Sequence, residues 1–142
     1  MIEPTPTPVT ALSHIAIATP DADALAATLV AALGATRGVE ELLDDGALRV
    51  VFVHAGPVTF ELLEPRNDAH TVAKFIATRG PGLHHVSLAV DDLPAALARC
   101  SDAGVRLIDA QPRAGAHGSQ VAFLHPKSMG SVLIELCQDL ER

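Results

Sequence analysis

Apolar and polar positions along the chain change period in a regular order. From Leu12 to Ala18 they alternate, so that His14, Ala16 and Ala18 share one face of an extended strand and Ile15 and Ile17 the other. Leu25, Ala26, Leu29 and Leu33 then recur at helical spacing, with Asp21 placed to cap the helix and Gly34 to stop it. Three strands follow. The one near Gly38 to Leu43 is weakly marked, and Arg49–Val53 and Val58–Leu63 are joined through the turn-forming Ala55-Gly56-Pro57. Thr71 to Arg79 predicts a short helix with Val72, Phe75 and Ile76 inward, ended by Gly80-Pro81-Gly82. Beyond it the order is a strand at Val86–Val90, then a helix striped by Leu93, Ala96, Leu97 and Cys100 that ends near Gly104. Strands at Val105–Ile108, Gln120–Leu124 and Val132–Cys137 complete the pattern.

The second half repeats the first. Leu12-Ser13-His14-Ile15-Ala16-Ile17-Ala18 matches Leu83-His84-His85-Val86-Ser87-Leu88-Ala89, with His85 lying 71 residues after His14. At the same offset Asp21 meets Asp92, Ala24 meets Ala95, and Val51-Phe52-Val53 meets Ala122-Phe123-Leu124. Phe60-Glu61-Leu62-Leu63 matches Ile134-Glu135-Leu136-Cys137 at an offset of 74, as a longer hairpin turn in the second half requires. Four matched blocks in the same order predict an internal duplication. The expected architecture is an α+β fold of two paired βαβββ modules, whose mixed sheet curves around a cleft. The expected boundaries are a flexible Thr-Pro tail over 1–10 and one domain over 11–142, with module one at 11–68, a linking helix at 69–82 and module two at 83–138.

The duplication changes how four polar residues are read. Glu61 sits between Phe60 and Leu62, and Glu135 between Ile134 and Leu136. A dry, unpaired carboxylate in such a strand costs several kcal/mol, so it must face water, pair with a cation or bind a metal. Each repeat supplies one His on its first strand and one Glu on its last. Taken singly, a strand His is an ordinary core or edge residue and a strand Glu points to solvent. Their matched placement favours one divalent ion held by His14, Glu61, His85 and Glu135. Zinc, cobalt, manganese, nickel and iron(II) all accept such a set. No local metal motif, HExxH or CxxC, is present.

Composition narrows the function classes. The chain has 142 residues, 49% of them apolar, enough for one domain with a real core. With 17 acidic against 10 basic residues the net charge is -7, which argues against an electrostatic grip on nucleic acid or an anionic membrane. No apolar run approaches the roughly 18 residues of a membrane span. The opening MIEPTPTP lacks the basic and apolar regions of a secretory signal. Two cysteines, Cys100 and Cys137, each in an apolar pattern, predict buried free thiols and a cytoplasmic setting. Without Trp or Tyr, base stacking is not an available binding strategy.

The remaining polar residues carry weaker signals. His84 adjoins His85 but points to the opposite face by strand parity, which suits a structural or supporting role. His54, His70 and His117 are expected at the surface. His125-Pro126-Lys127, before Gly130, reads as a hairpin turn, with Lys127 free to meet an anionic substrate group. Gly115-Ala116-His117-Gly118 lacks the strand–helix setting of a nucleotide loop and reads as a flexible loop at the cleft mouth.

Taken together, the blocks Ser13-His14-Ile15-Ala16-Ile17, Glu61-Leu62-Leu63-Glu64-Pro65, Val72-Ala73-Lys74-Phe75, Gly82-Leu83-His84-His85-Val86, Gly115-Ala116-His117-Gly118, Phe123-Leu124-His125-Pro126-Lys127 and Val132-Leu133-Ile134-Glu135-Leu136 resemble the methylmalonyl-CoA epimerase branch of the vicinal oxygen chelate superfamily. The resemblance runs from about Leu12 to Gln138, and the ELLEP, GLHHV and FLHPK blocks are the more specific to that branch. It implies the glyoxalase/bleomycin-resistance-like fold, a divalent ion (cobalt first, with zinc, manganese, nickel or magnesium as alternatives), a homodimer and an acyl-CoA substrate. It places the metal at His14, His85 and Glu135, with a fourth ligand at Glu61, where many relatives have Gln. Bacterial members carry a further acid/base Glu in the strand after an EQG turn. Here that position holds Arg49 when aligned on Gly46, or Val50 when aligned on Phe52, and neither serves as a base.

The reaction implied is interconversion of (R)- and (S)-methylmalonyl-CoA by removal of the proton α to the thioester, with a metal stabilising the enolate. Glu135 is the expected base and Glu61 the group on the opposite face, with water or His117 as fallback. His117 and Lys127 are the expected substrate contacts. Three other functions fit the same residues. A glyoxalase I-like lyase would share the metal set, an extradiol-type dioxygenase would need iron(II) with two His and one Glu, and a resistance protein would bind a small molecule without metal.

Overall fold

The computed structural model describes residues 8–139. These residues divide into two compact units, one spanning His14–His85 and the other made of residues 8–13 and 86–139.

In the first module, β1 (Val9–Ala18) leads into α1 (Ala22–Leu33), and then into β2 (Thr36–Leu43), β3 (Leu48–Ala55) and β4 (Val58–Pro65). The hydrogen-bonded order is β2-β3-β4-β1. The final pairing is parallel and brings Ala16 opposite Glu61. Along β1, His14, Ala16 and Ala18 are buried while Ile15 and Ile17 are half-buried, as the alternation predicts. Ile17 lies against a core of Ala22, Ala26, Val51, Val53 and Leu62 under α1. The Asp21 carboxylate accepts from Ala24 N–H at 3.0 Å, and Gly34 closes the helix at φ 66°. A further clamp was not read from the sequence: the Glu64 carboxylate on β4 accepts from Ala22 N–H at 2.8 Å, satisfying a second free donor of the first turn. The hairpin β3–β4 stays in register from Leu48↔Pro65 to Ala55↔Val58. Strand β2 slips between Arg37 and Glu40, and its outer face is exposed, which explains its weak pattern.

Helix α2 (Thr71–Arg79) has the expected bounds. His70 is not the surface residue expected. It is half-buried, its Nδ1 accepts from Val72 N–H at 3.0 Å to cap α2, and its Nε2 is 2.7 Å from the Asp44 carboxylate.

The second module repeats the plan with β5 (Gly82–Val90), α3 (Leu93–Asp102), β6 (Arg113–Ala114), β7 (Gln120–Leu124) and β8 (Ile134–Gln138), in the order β5-β8-β7-β6. Strand β5 starts four residues earlier than expected. Its parallel partner is again the last strand, with Ser87 opposite Glu135. Asp92 accepts from Ala95 N–H at 3.1 Å, and Gln138 accepts from Leu93 N–H at 2.6 Å, the same two clamps as in the first module. The core joins Val90, Leu93, Ala96, Leu97, Ala122, Leu124 and Leu136.

The strand expected at Val105–Ile108 does not form. It makes a single bridge, Leu107↔Leu124. Val105 and Leu107 pack on the core, which gave the segment its strand-like alternation, but the Asp109 carboxylate takes Phe123 N–H at 2.8 Å and displaces a backbone acceptor. The edge of this module is instead the two-residue β6. At the N-terminus, the expected tail lies outside the described residues through Thr7, and Val9 and Thr10 belong to β1.

Candidate metal centre

His14 and Glu61 stand on adjacent strands because β1 and β4 run parallel in register, with Ala16 opposite Glu61. His14 is 7% exposed, and its Nδ1 is 3.0 Å from a Glu61 carboxylate oxygen. Its other nitrogen, Nε2, faces Nε2 of His85 at 3.3 Å. His85 is 6% exposed, and its Nδ1 lies 2.9 Å from Nδ1 of His84. Both imidazoles therefore point Nε2 toward a common place and have Nδ1 held from behind.

Glu135 follows the same logic on the last strand. Parallel pairing sets it opposite Ser87, which shares a strand face with His85, and it is 5% exposed. His14, His85 and Glu135 each offer a ligand atom, and those atoms lie within 4.8 Å of one another. The set fits a divalent ion. Two imidazole nitrogens bound to a metal at the usual ~2.0–2.1 Å stand about 3.0–3.4 Å apart, and the observed 3.3 Å falls inside that window. A buried carboxylate beside two imidazoles completes a donor set that zinc, cobalt, nickel, manganese or iron accepts.

The structure thus brings three of the four expected ligands into one group, and it sets the fourth, Glu61, against the back of His14. His117 and Lys127 are exposed and lie outside that group. His117 has a left-handed backbone, φ 56°, in a short 3-10 turn over Ala116–Gly118. Lys127 sits in a second such turn, where its N–H donates to Nδ1 of His125 at 3.1 Å. His54 is exposed, as expected.

The position that lacks an acid/base Glu has a structural use. Arg49 donates to Glu40 and to Asp23, at 2.9 Å in each case, and lies 3.5 Å from Glu64. This ties β3 to β2, β4 and the first turn of α1. The Arg49 guanidinium, and after it Arg37, holds the Asp23 carboxyl down at about 2 and also lowers that of Glu40. Val50 is fully buried. Both cysteines are free. Cys137 is buried, and burial pushes its thiol up to about 11.

Comparison with known proteins agrees with this geometry. The family model of the Glyoxalase/Bleomycin resistance protein/Dioxygenase superfamily matches residues 13–123. The ethylmalonyl-CoA/methylmalonyl-CoA epimerase of Cereibacter sphaeroides is 38% identical over 129 residues, 89% of this chain and 96% of that protein. The crystal structure of methylmalonyl-CoA epimerase from Mycobacterium tuberculosis superposes with a TM-score of 0.86 at 34% identity, covering 96% of this chain and 92% of that one. A methylmalonyl-CoA epimerase in complex with methylmalonyl-CoA and NH4+ gives a TM-score of 0.86 at 32% identity, covering 94% and 97%.

Proposed function

Because the chain belongs to the Glyoxalase/Bleomycin resistance protein/Dioxygenase superfamily, and the relatives just described are epimerases of malonyl-type CoA thioesters, we propose that it is a metal-dependent methylmalonyl-CoA epimerase, an isomerase. The observation that carries this reading is the buried group of His14, His85 and Glu135, with their ligand atoms within 4.8 Å of one another.

A divalent ion held there, which we take to be cobalt, supplies Lewis-acid stabilisation of negative charge on the thioester oxygen. The chain's own residues do the rest. His14 and His85 present Nε2 and keep Nδ1 engaged, so their rings are oriented before any ligand arrives. Glu135 is the base that removes the α proton. Glu61 is the group that returns a proton on the opposite face, a role that requires its carboxylate to leave His14 Nδ1, where it sits at 3.0 Å. Lys127 offers an ammonium to the anionic groups of the acyl-CoA, and His117 a ring at the loop between β6 and β7. The protein works as a homodimer in the cytoplasm, where free thiols such as Cys100 and Cys137 persist.

The test is incubation of the cobalt-loaded protein with (S)-methylmalonyl-CoA in deuterated water. Deuterium at the α carbon together with appearance of the (R) isomer is the expected result. A protein that binds cobalt yet exchanges no proton overturns the epimerase reading. Metal content after substitution separates the roles: Glu61→Ala or Glu135→Ala with full metal and no exchange marks a proton carrier, and lost metal marks a ligand. Two His and one Glu also form the set that iron(II) oxygenases use. Oxygen consumption by the iron-loaded protein with a catechol would favour that second reading.

A further inference from the structure

We propose that His84 is a positioning residue of the metal centre, acting through His85; this rests on the metal reading above. Strand parity sends His84 away from the face of His85, yet its Nδ1 is 2.9 Å from His85 Nδ1. An imidazole that binds an ion through Nε2 is neutral and carries its proton on Nδ1. His85 Nδ1–H therefore donates, His84 Nδ1 accepts, and the His84 proton resides on Nε2. The ring of His84 is held in turn by Phe75 of α2, edge-on at 4.8 Å, and the Arg79 guanidinium lies 5.6 Å from the Phe75 ring centre. Helix α2 thus reaches the centre through two side chains.

The two ligand histidines are supported differently. His14 Nδ1 meets a carboxylate, Glu61, while His85 Nδ1 meets a neutral imidazole. The difference matters electrostatically. Glu61 and Glu135 already balance the charge of a divalent ion. A third carboxylate behind His85 would leave the centre negative and weaken its pull on developing charge at a substrate oxygen. A neutral acceptor orients His85 without that penalty.

The test is a set of three full-length variants titrated with Co2+ alone against a competing chelator, with the cobalt absorption spectrum recorded. His84→Asn keeps an acceptor near the place of Nδ1, His84→Gln moves it outward, and His84→Leu removes it. The expected outcome is a 10–100-fold loss of cobalt affinity in His84→Gln and His84→Leu, with a shifted spectrum, and affinity within threefold of the parent in His84→Asn. Unchanged affinity in His84→Gln, or equal loss in folded His84→Asn and His84→Gln, overturns the proposal. A parent protein that binds no cobalt instead overturns the metal reading itself, so the two failures are distinguishable.

Discussion

The two modules share a plan but differ at their outer edges. In the first, β2 is an eight-residue strand, and Arg49 laces it to β3, β4 and α1 through Glu40, Glu64 and Asp23. In the second, the equivalent stretch makes one bridge and then a two-residue strand, followed by a loop in which His117 and Gly118 both have positive φ. The inner parts are nearly interchangeable. Helices α1 and α3 are each capped by an Asp at the start, and each receives a side-chain oxygen from the last strand, three residues beyond that strand's central Glu: Glu64 after Glu61, Gln138 after Glu135. The modules agree in the strands and caps around the two glutamates and differ in the edges beyond them.

This contrast predicts where equivalent substitutions agree and where they diverge. Leu62 and Leu136 follow the two glutamates and are both buried in their module cores. Leu62→Ala and Leu136→Ala are each expected to cost about 2–5 kcal/mol by denaturant unfolding, with values close to one another. A large gap would show that one core is packed more loosely than the other.

The edges diverge. A Cβ on Gly115 meets Ser119 Oγ and Val121 Cγ1 at 2.7 Å, and a Cβ on Gly38 meets the tip of the His54 ring at 2.8 Å. Ser119 and Val121 are buried, while His54 is exposed, with its Nδ1 3.2 Å from Thr59 Oγ1. Gly115→Ala is expected to cost about 1–3 kcal/mol, and Gly38→Ala less than half of that in the same unfolding assay. The caps come next: Asp21→Ala and Asp92→Ala should each lower stability by about 1 kcal/mol and match within error, since their bonds of 3.0 and 3.1 Å are alike.

The Arg49 lacing gives the smallest effect. Its partners are largely exposed, so Arg49→Leu should change the melting midpoint less than either cap variant and lose its effect in high salt. Its sign with pH is fixed. The Asp23 carboxyl falls from 3.8 to about 2 on folding, so the stabilisation is present above pH 4 and disappears as pH drops toward 2. Thermal melts across that range should show the parent losing an advantage over Arg49→Leu.

Much of this was legible in the sequence because local chemistry and global fold agree. The cap Asp21, the bounds of α2 and the burial of His14, Ala16 and Ala18 all follow from short-range rules. The convergence of His14, His85 and Glu135 was readable only through the repeat, since no spacing motif links them. What the sequence hid depends on hydrogen bonds that skip the regular ladders. Asp109 displaced a strand partner, His70 became a helix cap, and Glu61 took the Nδ1 of His14. Parity also concealed His84, whose ring nitrogen meets that of its own neighbour.

The parallel pairing of each first strand with its module's last strand has a consequence for how the protein comes into being. The turn between β3 and β4 closes over a few residues and zips without help from distant segments. Ile15 must instead find Phe60 across an intervening helix and two strands, a closure slow to nucleate because nearly a whole module must be held still first. The bond between His14 and Glu61 joins residues 47 positions apart, and a ribosome must finish β4 before that pair exists.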